Sequence, residues 1–190
     1  MGKMKKLICI LLVLITFGCH KKDAISFYNE NPYNLLITVA DFKSGCYADE
    51  NLKNSVERLY KSKGNERLDL RYNSIFRNNS TRLSMTIHNI ITISKTDSET
   101  QNDYKEYSDV VNIVNIEVNN SVVTKNDLSD ILKFGKSTFI EYINKEQGIK
   151  TYAFVGIKQN KFVVFSISGC LNRDSVTNKL RTQINKIDSL

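Results

Sequence analysis

Residues 83–93 carry apolar side chains at Leu83, Met85, Ile87, Ile91 and Ile93, and polar ones at Ser84, Thr86, His88 and Thr92. A period of two puts the two sets on opposite faces of a pleated strand, which commits the chain to a sheet with one dry and one wet face. Leu68, Leu70 and Tyr72 alternate in the same way and are expected to pair with that strand. Thr151 to Lys158 and Lys161 to Ser168 read as a hairpin turning at Gln159-Asn160. Within it, Phe162-Val163-Val164-Phe165 is apolar on both faces, which predicts a central strand.

The remaining elements are read around this frame. Leu35 to Phe42, rich in β-formers, reads as a strand. Asp49 to Tyr60 sets Leu52, Val56 and Leu59 on one helical face, with Gly64 where a C-cap glycine belongs. Residues 95–109 hold no apolar period and read as a mobile loop, and Val110 to Val118 reads as a further strand. Thr124-Lys125-Asn126-Asp127 resembles a capping box, opening a helix that turns Leu128, Ile131, Leu132, Phe139 and Ile143 inward. Gly135 shares that face, and Gly148 closes the helix. A last helix from about Asp174 carries Val176, Leu180, Ile184 and Ile187 on one stripe.

The expected order is β-α-β-β-β-α-β-β-α. It is an α+β fold over residues 35–190, with an antiparallel sheet of about six strands and three helices packed on it. Its C-terminal third runs helix, hairpin (Tyr152-Ala153-Phe154-Val155 and Phe162-Val163-Val164-Phe165-Ser166), closing helix. That order resembles the Mog1/PsbP-like architecture shared by small bacterial lipoproteins of the DcrB type. The resemblance assigns no functional residue.

The first residues give an address. Lys3, Lys5 and Lys6 precede an uncharged apolar run from Leu7 to Phe17, shorter than the roughly 20 residues a spanning helix needs. It reads as a cleaved signal peptide over residues 1–18. The Gly18-Cys19 junction resembles a bacterial lipobox, with Thr16 and Phe17 standing where the commonest pattern has an aliphatic and a small residue. The resemblance implies that Cys19 is lipidated and becomes the mature N-terminus, and that residues 19–34, with His20 in place of an aspartate, are a polar tether on the outer membrane, facing the periplasm. The partner it implies is the bilayer itself, since two or three acyl chains hold a protein firmly where one does not. An ordinary secretory signal with an incidental cysteine is the alternative.

Composition narrows the rest. Three lysines lie in residues 1–18, so removing that segment lowers the formal charge from +7 to +4. The other basic residues are scattered, without an arginine-rich stripe or nucleic-acid motif, which argues against a nucleic-acid partner. Of four cysteines, Cys9 lies in the signal and Cys19 at the lipobox, leaving Cys46 and Cys170. In an oxidising compartment they have one way to pair, and two buried free thiols are the other reading. Each sits in a Ser-Gly-Cys triplet, Ser44-Gly45-Cys46 and Ser168-Gly169-Cys170, read either as a weak internal repeat or as coincidence.

Motifs that carry chemistry are few. There is no nucleophile elbow, phosphate loop, calcium loop or metal-ligand spacing, so no catalytic residue, cofactor or metal is assigned. His88, on the wet face of its strand, is the one candidate centre for an envelope hydrolase. Asp97, Glu99, Asp103, Glu106 and Asp109 read as a solvated loop. Tyr104 and Tyr107, in that same stretch, are expected to be exposed contact anchors for a protein partner. The leading expectation is a membrane-anchored, non-catalytic binding or accessory module: an assembly factor, a secretion accessory or an immunity-type protein.

Overall fold

The computed structural model describes residues 32–63, 67–117 and 123–190. Its frame is one seven-stranded sheet in the order β1-β2-β3-β7-β6-β5-β4, every neighbouring pair antiparallel. The strands are β1 Val56–Lys63, β2 Arg67–Asn78, β3 Leu83–Ser94, β4 Val123–Asp127, β5 Lys136–Asn144, β6 Ile149–Lys158 and β7 Lys161–Gly169. Helix α1 spans Asp97–Glu117 and helix α2 spans Arg173–Asp188.

The two helices occupy opposite faces. On one face, Val176, Leu180, Ile184 and Ile187 of α2 join the main core with Ile87, Ile91, Val163, Phe165, Phe154 and Phe139. On the other, Tyr104 of α1 packs on Val155, Ile157 and Phe162, which point the opposite way along β6 and β7. The segment before β1 runs in 3-10 turns, including Pro32–Leu35 and Val39–Phe42, along the α2 face. Buried amides fasten it there. Asn89 Oδ1 accepts from Ile37 N–H at 2.9 Å and from Gln183 Nε2 at 2.6 Å, while Gln183 Nε2 also donates to the Leu35 carbonyl at 2.7 Å. Each such polar atom would cost about 1–3 kcal/mol if buried unpaired, so this triangle fixes where the segment lies.

The expectation of about six strands and three helices is corrected to seven strands and two α-helices among the described residues. The run 35–42 is built of 3-10 turns and not a strand. The expected helix at 49–60 is a short turn, Leu52–Asn54, followed by β1. The expected loop 95–109 and strand 110–118 are replaced by α1, with 118 outside the described residues. The helix placed over 128–143 is instead a turn and β5, because Gly135 takes φ +56 and bridges Ile157, where a Cβ would run into the Ile157 carbonyl. Gly148, at φ +65, closes the β5–β6 turn.

Other expectations match the structure. β2 and β3 pair antiparallel with Leu70 opposite Ile91, and Lys158 faces Lys161 across the Gln159-Asn160 turn. β7 is the middle strand of the order. Helix α2 begins where Asn172 caps it, its side chain accepting from the N–H groups of Asp174 and Ser175.

Candidate functional site

Cys46 and Cys170 are joined, with Cα atoms 6.1 Å apart and 124 residues between them. The link ties the N-terminal turns to the β7–α2 junction. Tyr47 reinforces it, donating to the Ser84 carbonyl at 2.6 Å and accepting from Cys170 N–H at 2.9 Å. Gly169 is required there, since a Cβ would run into the Tyr47 hydroxyl and lie 2.8 Å from the Ser84 carbonyl. Burial pushes the Tyr47 phenol up, partly offset by the Cys170 N–H. The two Ser-Gly-Cys triplets do not form a structural repeat: the first lies among 3-10 turns, and the second passes from strand to helix. A cavity of about 420 Å³ lies beside the disulfide, lined by Phe42, Tyr47, Lys150, Leu171 and Asn172 among others. The Asn172 cap already takes helix donors that an anion would use.

A second polar cluster sits at the α2 N-terminus. Glu141, fully buried on β5, takes hydrogen bonds from Tyr152 at 2.8 Å and Asn126 at 2.7 Å, and pairs with both Nε and Nη2 of Arg173. Burial alone would raise the Glu141 pKa, but the bonds from Arg173, Asn126 and Tyr152 outweigh it and hold the carboxyl below its ordinary range. Burial, then the Glu141 bond, pushes the Tyr152 phenol up. The carboxylate is satisfied by the groups that surround it. It is a structural clasp between β4, β5, β6 and α2.

His88 stands on the face that α1 covers only in part. Its Nδ1 lies 2.7 Å from Asn73 Oδ1, within hydrogen-bond distance. Ser166 is its partner across the β3–β7 ladder, which lines up Asn73, His88 and Ser166 on adjacent strands. Among the described residues, no hydrogen bond joins the ring to Ser166. The backbone N–H groups of these inner strands serve the ladders, and are not free to stabilise an oxyanion.

Tyr104 is not the exposed anchor that the sequence suggested. It is 6% exposed, packed against Val155, Ile157 and Phe162, with the Lys136 ammonium 4.9 Å from its ring centre. Tyr107 leans on Phe162 at 5.5 Å between ring centres. Thr100 donates to the Gln159 carbonyl at 3.0 Å, and Asp103 pairs with Arg67 at 3.0 Å, so α1 is docked at both the hairpin turn and β2. The correction has a physical reason: a helix needs a dry side, and these two tyrosines supply it.

The exposed apolar surface lies elsewhere. β1 ends the sheet order and pairs only with β2 among the described residues. Val56 is 65% exposed, Leu59 49%, Tyr60 54% and, across the ladder on β2, Ile75 45%. Around them stand Arg58, Lys61, Arg71 and Arg77, all exposed, with the Arg71 guanidinium 5.9 Å over the Tyr60 ring. Exposed β-formers on a free edge invite another strand, which natural proteins avoid unless the edge is used. The sequence carried a signal for this: Val56 and Tyr60 share one face of the strand while Leu59 takes the other, a pattern that fits neither a buried helix nor a half-buried strand.

Cys19 and His20 lie outside the described residues. No described helix is long and apolar enough to cross a membrane. No protein-family model matches the chain, and no curated protein matches it. Among solved structures, the chain is similar to the extracellular domain of PknH from Mycobacterium tuberculosis, at 8% identity and a TM-score of 0.46. That match covers 80% of this chain and 94% of that one.

Proposed function

We propose that this chain is a lipid-anchored envelope lipoprotein acting as a non-catalytic binding module, and that its recognition surface is the β1 edge with Ile75 beside it. The supporting observation is the exposure of Val56, Leu59 and Tyr60 on a strand whose outer edge meets no neighbour among the described residues. Strand addition uses main-chain bonds for affinity and side-chain pockets for choice of partner. Aromatic and arginine side chains such as Tyr60, Arg58 and Arg71 are the types that most often carry binding energy. The anchor is the acylated Cys19 of the lipobox-like start, with the body held at the outer membrane and facing the periplasm.

A photo-cross-linking residue at position 59, in cells, tests the surface against the same residue at Ile131, which is 45% exposed on another part of the molecule. Cross-linking at 59 and not at 131 is expected. Equal yields at both positions, or none at 59, would contradict it.

A second reading has its own observation, the Asn73–His88–Ser166 row. It makes His88 a base oriented by Asn73 in an envelope hydrolase. A turnover lost in His88→Ala and retained in Asn126→Ala would establish it.

A further inference from the structure

We propose that the occupant of the β1 edge is a second copy of this chain, paired antiparallel through β1 about a two-fold axis at Leu59. The inference rests on the reading of that edge as a recognition surface, and names the partner. Strand register selects this partner. A two-fold axis normal to the sheet keeps each face on its own side, so only residues of one face can stand opposite each other. With the axis at Leu59, Leu59 meets its own copy once, while Glu57 meets Lys61, Arg58 meets Tyr60 and Val56 meets Ser62, each of these three contacts occurring twice. Opposite charges, a cation on an aromatic ring and an apolar pair then all coincide.

Neighbouring registers are worse. Moving the axis to Arg58 sets that guanidinium against its own copy. Moving it to Tyr60 sets Leu59 against Lys61. A strand of mixed charge that is self-complementary in one register, and apolar at the centre of that register, specifies its own partner.

The rest of the fold accommodates the pairing. The axis leaves both copies of α2 on one side of a continuous sheet, and both His88 faces on the other. The chain enters along the α2 face, where Lys186 Nζ donates to the Asn34 carbonyl at 3.3 Å and Gln183 holds the Leu35 carbonyl. Both copies therefore emerge on the same side, and two chains anchored in one membrane can pair without either turning over. Confinement to a membrane also raises the effective concentration that a modest edge contact needs.

The test uses full-length protein in its membrane. Leu59→Cys, mildly oxidised, should give a disulfide-linked dimer, since residue 59 faces itself at about 5 Å between Cβ atoms, while Tyr60→Cys should give far less. In detergent, sedimentation should show Glu57→Lys weakening the dimer about tenfold or more, because two attractive pairs become repulsive. Adding Lys61→Glu to that variant should restore the affinity to within about threefold, since both pairs are then reversed and attractive again. Cross-linking at 60 but not 59, at neither position, or a double variant as weak as the single one would overturn the second copy as partner. The underlying reading fails on a different result: outward-pointing β1 amides, those not bonded to β2, that stay unprotected when the protein is in the envelope.

Discussion

The two ends of the sheet are built to opposite plans. At the β7–β6–β5 end, Phe165, Phe154 and Phe139 are buried under α2, Phe162 and Val155 are buried under α1, and Glu141 has its oxygens filled. At the β1 end, residues 56–61 are exposed on both faces of the strand. The first region carries packed core on both faces. The second adds little to that core and leaves apolar side chains where a partner can reach them. The difference separates holding the fold from using it.

The sharpest way to break the comparison is to cut the strongest tie of the stable end. Replacing Cys46 and Cys170 with serine opens a link spanning 124 residues, which should lower stability by about 4–5 kcal/mol on the chain-entropy account. Urea denaturation measures it, and a loss under about 1 kcal/mol would place the mainstay of the fold elsewhere. Next, Tyr104→Ala should cost about 2–4 kcal/mol, as the truncation of a buried aromatic does. A free loop would give almost none, so the same denaturation experiment distinguishes a docked α1 from a loose one.

Glu141→Gln should cost about 1–3 kcal/mol at neutral pH, because it removes the charge that Arg173 meets. Its pH dependence has a definite sign. A carboxyl held below its ordinary value, here near 4.5, contributes stability above that pH and loses it as pH falls through the folded-state value. The gap between the native protein and Glu141→Gln should therefore narrow steadily below about pH 4.5. A gap that widens with acid would mean that the clasp does not hold an ionised carboxylate. The smallest effect belongs to the bare end: Leu59→Ser should change stability by no more than about 0.5 kcal/mol in dilute protein. A larger loss would make β1 part of the core.

The sequence was legible where period and burial agree. β2, β3, the β6–β7 hairpin and α2 each bury one clean face or sit centrally, and their spacing shows it. α1 was hidden because its first half carries few apolar residues, and Tyr104 and Tyr107 do the packing among Asp, Glu and Lys. The β-branched Val110 and Val111 then read as a strand. β5 was hidden for the opposite reason: residues 139–142 are buried in succession, so no alternation is visible, and Leu128, Ile131 and Leu132 lie at helical spacing before a turn that Gly135 forces. At β1, spacing misled because the rule assumes that apolar side chains face a core. Leu52, Val56 and Leu59 recur at helical intervals, yet Val56 and Leu59 face solvent. Of the candidate sites, the cysteine pair could be read by elimination. The edge left only an indirect signal, Val56 and Tyr60 on one face of the strand and Leu59 on the other, which the helical spacing of Leu52, Val56 and Leu59 masked.

Amide hydrogen exchange along β1 tests the central claim most directly, measured by mass spectrometry on full-length protein in native membranes and on the same protein purified and diluted. In the diluted protein, amides that point to β2 should be protected and those on the free edge should exchange fast. If the edge serves recognition, the free-edge amides of residues 56–62 should become protected in the membrane to a degree like that of their neighbours. Fast exchange of those amides in both settings would contradict the account.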